Sequence, residues 1–137
     1  MAASQTDSQH LPPRTLGRYT LYQELAAGGI GTVCLARMRG EGGFSRVMAV
    51  KRLHRHYAHD PHFVEMFLDE ARIASRVRHP NVVSADDVVS ADDELYLVME
   101  YVPGESLSRL LSAVAKSGAR VEPAIAAAIM ALSLIHI

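Results

Sequence analysis

The sequence predicts an α+β fold in which an antiparallel sheet of five strands and one helix is followed by further helices. Short runs rich in β-branched and aromatic residues, bounded by glycine or acidic turns, recur between residues 19 and 102. A segment with helical periodicity lies between the third and fourth of these runs, and the end of the chain is predicted to be mostly helical. With 137 residues, 49% hydrophobic and 21% charged, the chain fits one globular domain and is not a disordered protein.

Each predicted strand is bounded by a turn signal. The glycine-rich break AAGGIG separates the first two strands, RGEGG precedes the third, and a short acidic turn joins the last two. The hexad VVSADD occurs twice in succession at 82–93, which is too few copies for a solenoid. The strands are predicted at 19–25, 32–38, 47–53, 82–89 and 94–102.

Capping signals place the helices. Asp60 and Pro61 are typical of an N-cap and a first helical residue, and they predict a helix at 61–78 that the HPN sequence ends. Further helices are predicted at 106–116 and from 122 onward, with Pro123 near the start of the last one. The helix at 61–78 completes the unit at 17–102, and the later helices belong to a second segment at 103–137.

The ends of the chain show no targeting or membrane signal. Residues 1–16 are polar, with no basic segment leading into an apolar one, and are interpreted as a disordered tail. The apolar stretch at 124–137 is shorter than the roughly 20 residues that a membrane-spanning helix needs. No membrane segment and a cytoplasmic location are therefore expected.

Charge and metal-binding residues exclude other classes. A net charge of -1 provides no basic field, so nucleic acid is not expected as a partner. The single Cys34 cannot form an internal disulfide and is predicted to be an inert thiol in a reducing compartment. His54, His56, His59 and His62 straddle the break at Pro61, next to a predicted surface loop, and have no matched acidic or thiol ligands, so no metal site is predicted.

Two charges are predicted on apolar faces. A helical wheel of 61–78 places Glu70 at the centre of an apolar face. This face consists of Phe63, Met66, Phe67, Ile73, Ala74 and Val77. Lys51 shares its strand face with apolar residues, and an ionised group there needs a partner, so the two charges are predicted to pair. The alternative is that Lys51 extends to solvent and Glu70 lies at the helix rim.

The glycines of the first turn have two interpretations. Gly28, Gly29 and Gly31 allow the backbone to approach a ligand and direct N–H groups at phosphate oxygens. Alone, they also fit an ordinary hairpin turn. The order of features favours the phosphate interpretation, because a lysine strand and a glutamate helix follow the turn.

In this order the sequence resembles the N-terminal lobe of eukaryotic-type serine/threonine protein kinases of the bacterial style. LAAGGIGTV at 25–33 resembles the Gly-rich loop, MAVK at 48–51 the lysine strand, and LDEAR at 68–72 the glutamate segment of helix αC. HPNVV follows that helix, and LYLVMEYVPG at 95–104 resembles strand five and the hinge. The resemblance runs from about residue 19 to residue 131.

The resemblance implies a site for ATP, with Mg²⁺ as its expected metal. Lys51 would contact the α and β phosphates and be held by Glu70, and the backbone around Gly28, Gly29 and Gly31 would cover the phosphates. The side chains of Leu25, Val33 and Ala49 would sandwich the adenine ring, and Met99 would be the gatekeeper at the back of the pocket. Backbone groups of Glu100 and Val102 would form hydrogen bonds with the edge of the ring. Ser106 is a weaker candidate for a ribose contact. The implied reaction is transfer of the γ-phosphoryl group of ATP to serine or threonine of a protein substrate.

The sequence departs from the family pattern in two ways. Ala26 replaces the first glycine of the loop, which is expected to stiffen it. No H-R-D-L-x-x-x-N, D-F-G or A-P-E motif occurs, so the base and the metal ligands are missing and the chain alone is predicted to be inactive. The apolar ending predicts a truncated C-terminal lobe, with residues 132–137 foreign or frameshifted. The alternatives are a nucleotide-binding pseudokinase that regulates a partner, or an inactive fragment.

Overall fold

Six strands form one antiparallel sheet in the computed structural model, which describes residues 12–133. The strands are β1 (Arg14–Leu16), β2 (Tyr19–Ala27), β3 (Gly31–Arg39), β4 (Ser45–Leu53), β5 (Ala85–Ala91) and β6 (Glu94–Glu100). Their order across the sheet is β1-β2-β3-β4-β6-β5. The hairpins β2–β3 and β3–β4 bring the glycine turn beside the lysine strand, and β6 pairs with the far side of β4.

Four α-helices in the described part of the chain interrupt or follow the sheet. They are α1 (Arg55–Ala58), α2 (Pro61–Arg76), α3 (Leu107–Ser117) and α4 (Pro123–Ser133). Asp60 caps α2 as predicted, because its side chain accepts a hydrogen bond from the backbone N–H of His62 at 2.9 Å. The left-handed Gly118, with φ of 70°, ends α3.

The two faces of the sheet carry separate cores. The outer core consists of Leu16, Tyr19, Leu21, Cys34, Ala36, Met48, Val50, Tyr96 and Val98. The inner core consists of Leu53, Phe67, Ala71 and Leu97, so it joins the sheet to α2. Lys51 lies on β4 between Val50 and Arg52 and belongs to the inner face by alternation. The fold therefore places α2 and the lysine strand on the same side.

The predicted disordered tail extends too far, because Arg14–Leu16 forms strand β1. Three residues carry too little periodicity to predict a strand, and β1 exists because it pairs with β2 and buries Leu16. The sheet thus has six strands instead of the predicted five. Residues 1–11 of the predicted tail, and 134–137 of the segment predicted to be foreign, lie outside the described residues.

Other element bounds shift by a few residues. Helix α2 ends at Arg76 instead of Arg78, β5 begins at Ala85 instead of Val82, and β6 ends at Glu100. A one-turn helix, α1, lies in the histidine-rich segment that the sequence placed in a loop. No described helix is long and apolar enough to cross a membrane.

The apolar face of α2 is rotated from its predicted position. Phe67 and Ala71 are the buried residues of α2, whereas Met66 is 42% and Ile73 65% exposed. Val64, Phe67 and Ala71, spaced three and four residues apart, pack in the inner core. The rotation of α2 about its axis is therefore set by this contact and not by the number of apolar residues on the helix. Glu70 therefore lies at the rim of the contact face and not at its centre.

A two-residue turn of unfavourable composition joins β5 to β6. Asp92 and Asp93 have φ of 52° and 60°, as a type I′ hairpin turn requires, but such turns favour glycine at the second position. We expect Asp93→Gly to stabilise the chain by about 1 kcal/mol and raise Tm by about 3 °C in a thermal melt. Asp93→Ala is the control, because it removes the same carboxylate without relieving the backbone. An equal rise in Tm in both variants would mean that loss of the carboxylate charge, and not relief of the backbone, causes the effect.

Candidate nucleotide site

The strand register arranges the predicted site residues in two rows on the inner face. Val33 of β3 pairs with Lys51 of β4, which pairs with Leu97 of β6. The next row contains Leu35, Ala49 and Met99. Three predicted residues of the adenine site, Val33, Ala49 and Met99, therefore lie beside the lysine on adjacent strands.

The glycine turn lies at the end of the same face. The backbone N–H of Gly28 donates to the carbonyl of Gly31 at 2.8 Å, and Gly28 and Gly29 are exposed. Gly31 is buried, and a Cβ built on it would lie 2.6 Å from the carbonyl oxygen of Arg52. Glycine is thus required at residue 31 by the close approach of β4. Ala26 lies in β2, paired with Val33 and exposed, so its methyl group has room.

Lys51 and Glu70 form the predicted ion pair. The Lys51 ammonium lies 2.9 Å from Oε1 and 2.8 Å from Oε2 of Glu70. The lysine side chain is 18% exposed and that of Glu70 47% exposed, so the contact is confirmed but the glutamate is not buried. The ammonium also lies 5.8 Å from the centre of the Phe67 ring. The Lys51 charge is thus held between a carboxylate and an aromatic ring on the inner face.

The remaining predicted contacts lie outside the two rows of paired residues. Leu25 and Val102 are exposed apolar side chains, at 42% and 58%, and Glu100 ends β6. Ser106 caps α3, with its oxygen accepting from the backbone N–H of Arg109 at 3.2 Å. Its hydroxyl proton is still available to a ligand, and the ribose contact stays a prediction.

Sequence reasoning missed the apolar residues that complete the two rows. Leu35 and Leu97 face the same side as Ala49 and Lys51, and period-two alternation from Val33 along β3 and from Met99 along β6 could have found them. It also missed the contact between the Phe67 ring and the Lys51 ammonium. A helical wheel shows which residues share a helix face, but it does not show which residues of another element that face contacts. Thr32 and His54, which contact each other at the base of the glycine turn, gave no recognisable sequence signal.

The cysteine lies on the opposite face of the sheet, and the described histidines are not arranged as metal ligands. Cys34 belongs to the outer core, and burial raises the pKa of its thiol, which favours the inert form. His54 bonds to Thr32, and His56 and His62 pack against aromatic rings. Within residues 12–133 no three histidine, cysteine or acidic side chains converge as metal ligands.

Comparison with known proteins identifies the family. Residues 19–137 match the protein kinase domain. The chain is 42% identical over 95 residues to a tyrosine-protein kinase, MasK of Myxococcus xanthus, covering 69% of this chain and 15% of that protein. It is 39% identical over 100 residues to the serine/threonine-protein kinase PrkC of Bacillus subtilis, covering 73% of this chain and 15% of PrkC. The chain thus spans about a seventh of the length of these relatives.

A solved structure agrees with this assignment. The crystal structure of the Mycobacterium tuberculosis PknI kinase domain superimposes with a TM-score of 0.69 and 26% identity, over 88% of this chain and 46% of that one. The chain therefore belongs to the protein kinase family, and it comprises the N-terminal portion of a protein kinase domain.

Proposed function

We propose that the chain binds ATP on the inner face of the sheet, as the nucleotide-binding part of a kinase that phosphorylates serine or threonine of a protein substrate. The observation that carries this is the Lys51 ammonium, fixed by both carboxylate oxygens of Glu70 at 2.8 and 2.9 Å beside the glycine turn. A lysine held in this way presents a localised positive charge to phosphate oxygens without losing its orientation.

The apolar surroundings support an adenine ring at the rim. Ala49 and Met99 pair across β4 and β6, and Leu25 and Val102 are apolar side chains left exposed to solvent. A flat, largely apolar ring placed against them would remove apolar surface from water, and polar backbone groups at the end of β6 would satisfy its edge. Glu100 and Val102 are assigned these backbone contacts.

The contribution of this chain to phosphoryl transfer is binding and orientation. Such transfer depends on positioning and on stabilising the charge that develops on phosphoryl oxygens, and Lys51 supplies positive charge for this purpose. Mg²⁺ is expected with ATP from the family, but no ligand set for it forms within the described residues, and none is assigned. The use of ATP agrees with a cytoplasmic location, which stays a prediction.

A thermal-shift titration with ATP tests the proposal. We expect a saturable rise in Tm for the 137-residue chain, since a ligand at 100 times its Kd stabilises the folded state by about 2.7 kcal/mol. Lys51→Met keeps the length of the side chain but removes its charge, and it should abolish most of the rise.

Arg52→Met is the matched control. Arg52 is the next residue on β4 and lines an outer-face cavity with Leu21 and Cys34, so its loss should leave the ATP response unchanged. Absence of a rise in the unmodified chain would refute the proposal. An equal loss in both variants would show that the response follows general basic charge and not the Lys51–Glu70 pair.

A further inference from the structure

The tip of the glycine turn is tied to the residue that follows the lysine strand. His54 comes directly after β4, and its backbone N–H donates to the carbonyl of Ile30 at 3.0 Å. Its ring Nε2 lies 3.0 Å from Oγ1 of Thr32, a side chain only 4% exposed. His54 thus makes one hydrogen bond to the residue before Gly31 and one to the residue after it.

The backbone bond from His54 to Ile30 extends the sheet beyond its last paired residues. Gly31 pairs with Leu53 and Thr32 with Arg52, so Ile30 and His54 form the next step of the same ladder. The approach is close, because a Cβ on Gly31 would collide with the Arg52 carbonyl oxygen. The β3 side of the turn is therefore fixed against β4 and cannot rise without breaking these bonds.

The other side of the turn has fewer restraints. Gly28 and Gly29 are exposed, and the bond from the Gly28 N–H to the Gly31 carbonyl connects this side to the β3 side. The height of Gly28 and Gly29 above the inner face thus depends on how firmly Gly31 and its neighbours are held. That height sets the distance from the turn to a phosphate group beside Lys51.

We propose that His54 is a positioning residue for nucleotide binding, which fixes the glycine turn over the phosphates through its ring contact with Thr32. The inference rests on the proposed ATP-binding function. The hydroxyl of Thr32 can donate or accept a hydrogen bond, so the contact forms with either tautomer of the His54 ring. His54 also precedes α1, and so it joins the turn to the helical segment that leads to Glu70.

The test uses two readouts on the 137-residue chain. Amide hydrogen exchange at residues 29–33 without nucleotide reports the order of the turn, and titration with a fluorescent ATP analogue gives Kd. We expect His54→Ala and Thr32→Val each to speed this exchange and to raise Kd about five-fold, the effect of losing one hydrogen bond. Neither substitution removes the backbone bond to Ile30, so the side-chain contact is tested alone.

Conservative variants separate positioning from general destabilisation. His54→Gln places an amide nitrogen near the position of Nε2, and Thr32→Ser keeps the hydroxyl, so each should restore Kd to within about two-fold of the original value. His59→Ala is the matched control, since His59 is exposed and ends α1 without contacting the turn.

The outcomes distinguish this inference from the function on which it rests. Failure of the unmodified chain to bind the nucleotide would overturn both. Normal binding by the unmodified chain, with unchanged Kd in His54→Ala and Thr32→Val, would overturn only the role of His54. A loss of affinity that His54→Gln and Thr32→Ser do not restore would also overturn it, because the cause would be packing and not the hydrogen bond.

Discussion

Replacing Phe67 by alanine is expected to lower the free energy of unfolding by about 3–5 kcal/mol. Phe67 is fully buried and packs with Leu53, Ala71 and Leu97 at the centre of the inner core. Its removal deletes the largest side chain of that core and leaves a cavity between α2 and the sheet that cannot close without moving the helix. Such a loss is a large fraction of the 5–15 kcal/mol that stabilises a typical domain.

The same substitution should weaken the nucleotide site. Phe67 precedes Glu70 by one helical turn, and its ring lies 5.8 Å from the Lys51 ammonium. Helix α2 then loses the anchor that holds Glu70 at bonding distance, so the ATP-induced rise in Tm should shrink even where the chain remains folded. Phe67→Leu fills most of the volume and should retain much of both properties.

Urea denaturation followed by circular dichroism measures the loss. Met66→Ala is the control, because Met66 is the neighbouring residue on α2 but is 42% exposed. Its cost is expected to be below about 1 kcal/mol. Comparable losses from the two substitutions would mean that the inner core does not hold α2 to the sheet.

The five strands β2 to β6 and the ion pair can be predicted from the sequence because their signals are local. Period-two alternation places Lys51 among inward residues, and the position of Glu70 among apolar residues of its helix predicts the contact that the structure shows. The rotation of α2 was not accessible. Met66 and Ile73 are apolar but exposed, and only the packing of Phe67 against the sheet decides which side of the helix faces inward.

The repeated hexad shows why local sequence is not enough. In the first copy of VVSADD the residues Ala85, Asp86 and Asp87 lie in β5, whereas in the second copy Asp92 and Asp93 form the turn. Identical residues adopt different backbones because their partners differ. Asp87 accepts a hydrogen bond from the Tyr19 hydroxyl at 2.9 Å, a contact 68 residues apart in sequence that no local pattern contains.

The short strand β1 depends on an equally distant contact. Arg14 donates to Glu94 at 2.7 Å and to Asp92 at 3.1 Å, which ties the strand to the turn between β5 and β6. No residue next to Arg14 or next to Glu94 in the sequence indicates that the two are in contact. Because the partners of Arg14 lie about 80 residues away, the local sequence before residue 17 predicts only a tail. The same contact makes Glu94 important for the attachment of β1.

Replacing Glu94 by alanine is expected to cost about 3 kcal/mol of unfolding free energy at neutral pH. The carboxylate is almost fully buried and accepts hydrogen bonds from Arg14 at 2.7 Å and from the Tyr96 hydroxyl at 2.5 Å, with Arg55 at 3.4 Å from its other oxygen. Alanine would leave the buried Tyr96 hydroxyl without its acceptor and the Arg14 charge without its main partner. The first loss acts on the outer core through β6, and the second acts on β1, where Arg14 lies.

The contribution of Glu94 should depend on pH with a defined sign. Burial alone would raise the pKa of Glu94, but the hydrogen bonds from Tyr96 and Arg14 and the nearby positive charges outweigh it, and the pKa lies below the usual value. A carboxyl group with a lowered pKa in the folded state adds stability above its unfolded pKa, near 4.5. That stability is lost as the pH falls through the lower folded value.

Urea denaturation between pH 7 and pH 3 separates this contribution from that of other carboxylates. Glu94→Gln keeps the size of the side chain and one acceptor oxygen but cannot titrate, so the difference in unfolding free energy from the original chain should be largest at pH 7 and shrink below about pH 4.5. Glu65→Gln, an exposed carboxylate on α2, should leave the curve unchanged. Curves for Glu94→Gln and the original chain that stay parallel across this range would mean that the charge on Glu94 does not stabilise the fold. The attachment of β1 would then rest on its backbone pairing with β2 and on the burial of Leu16.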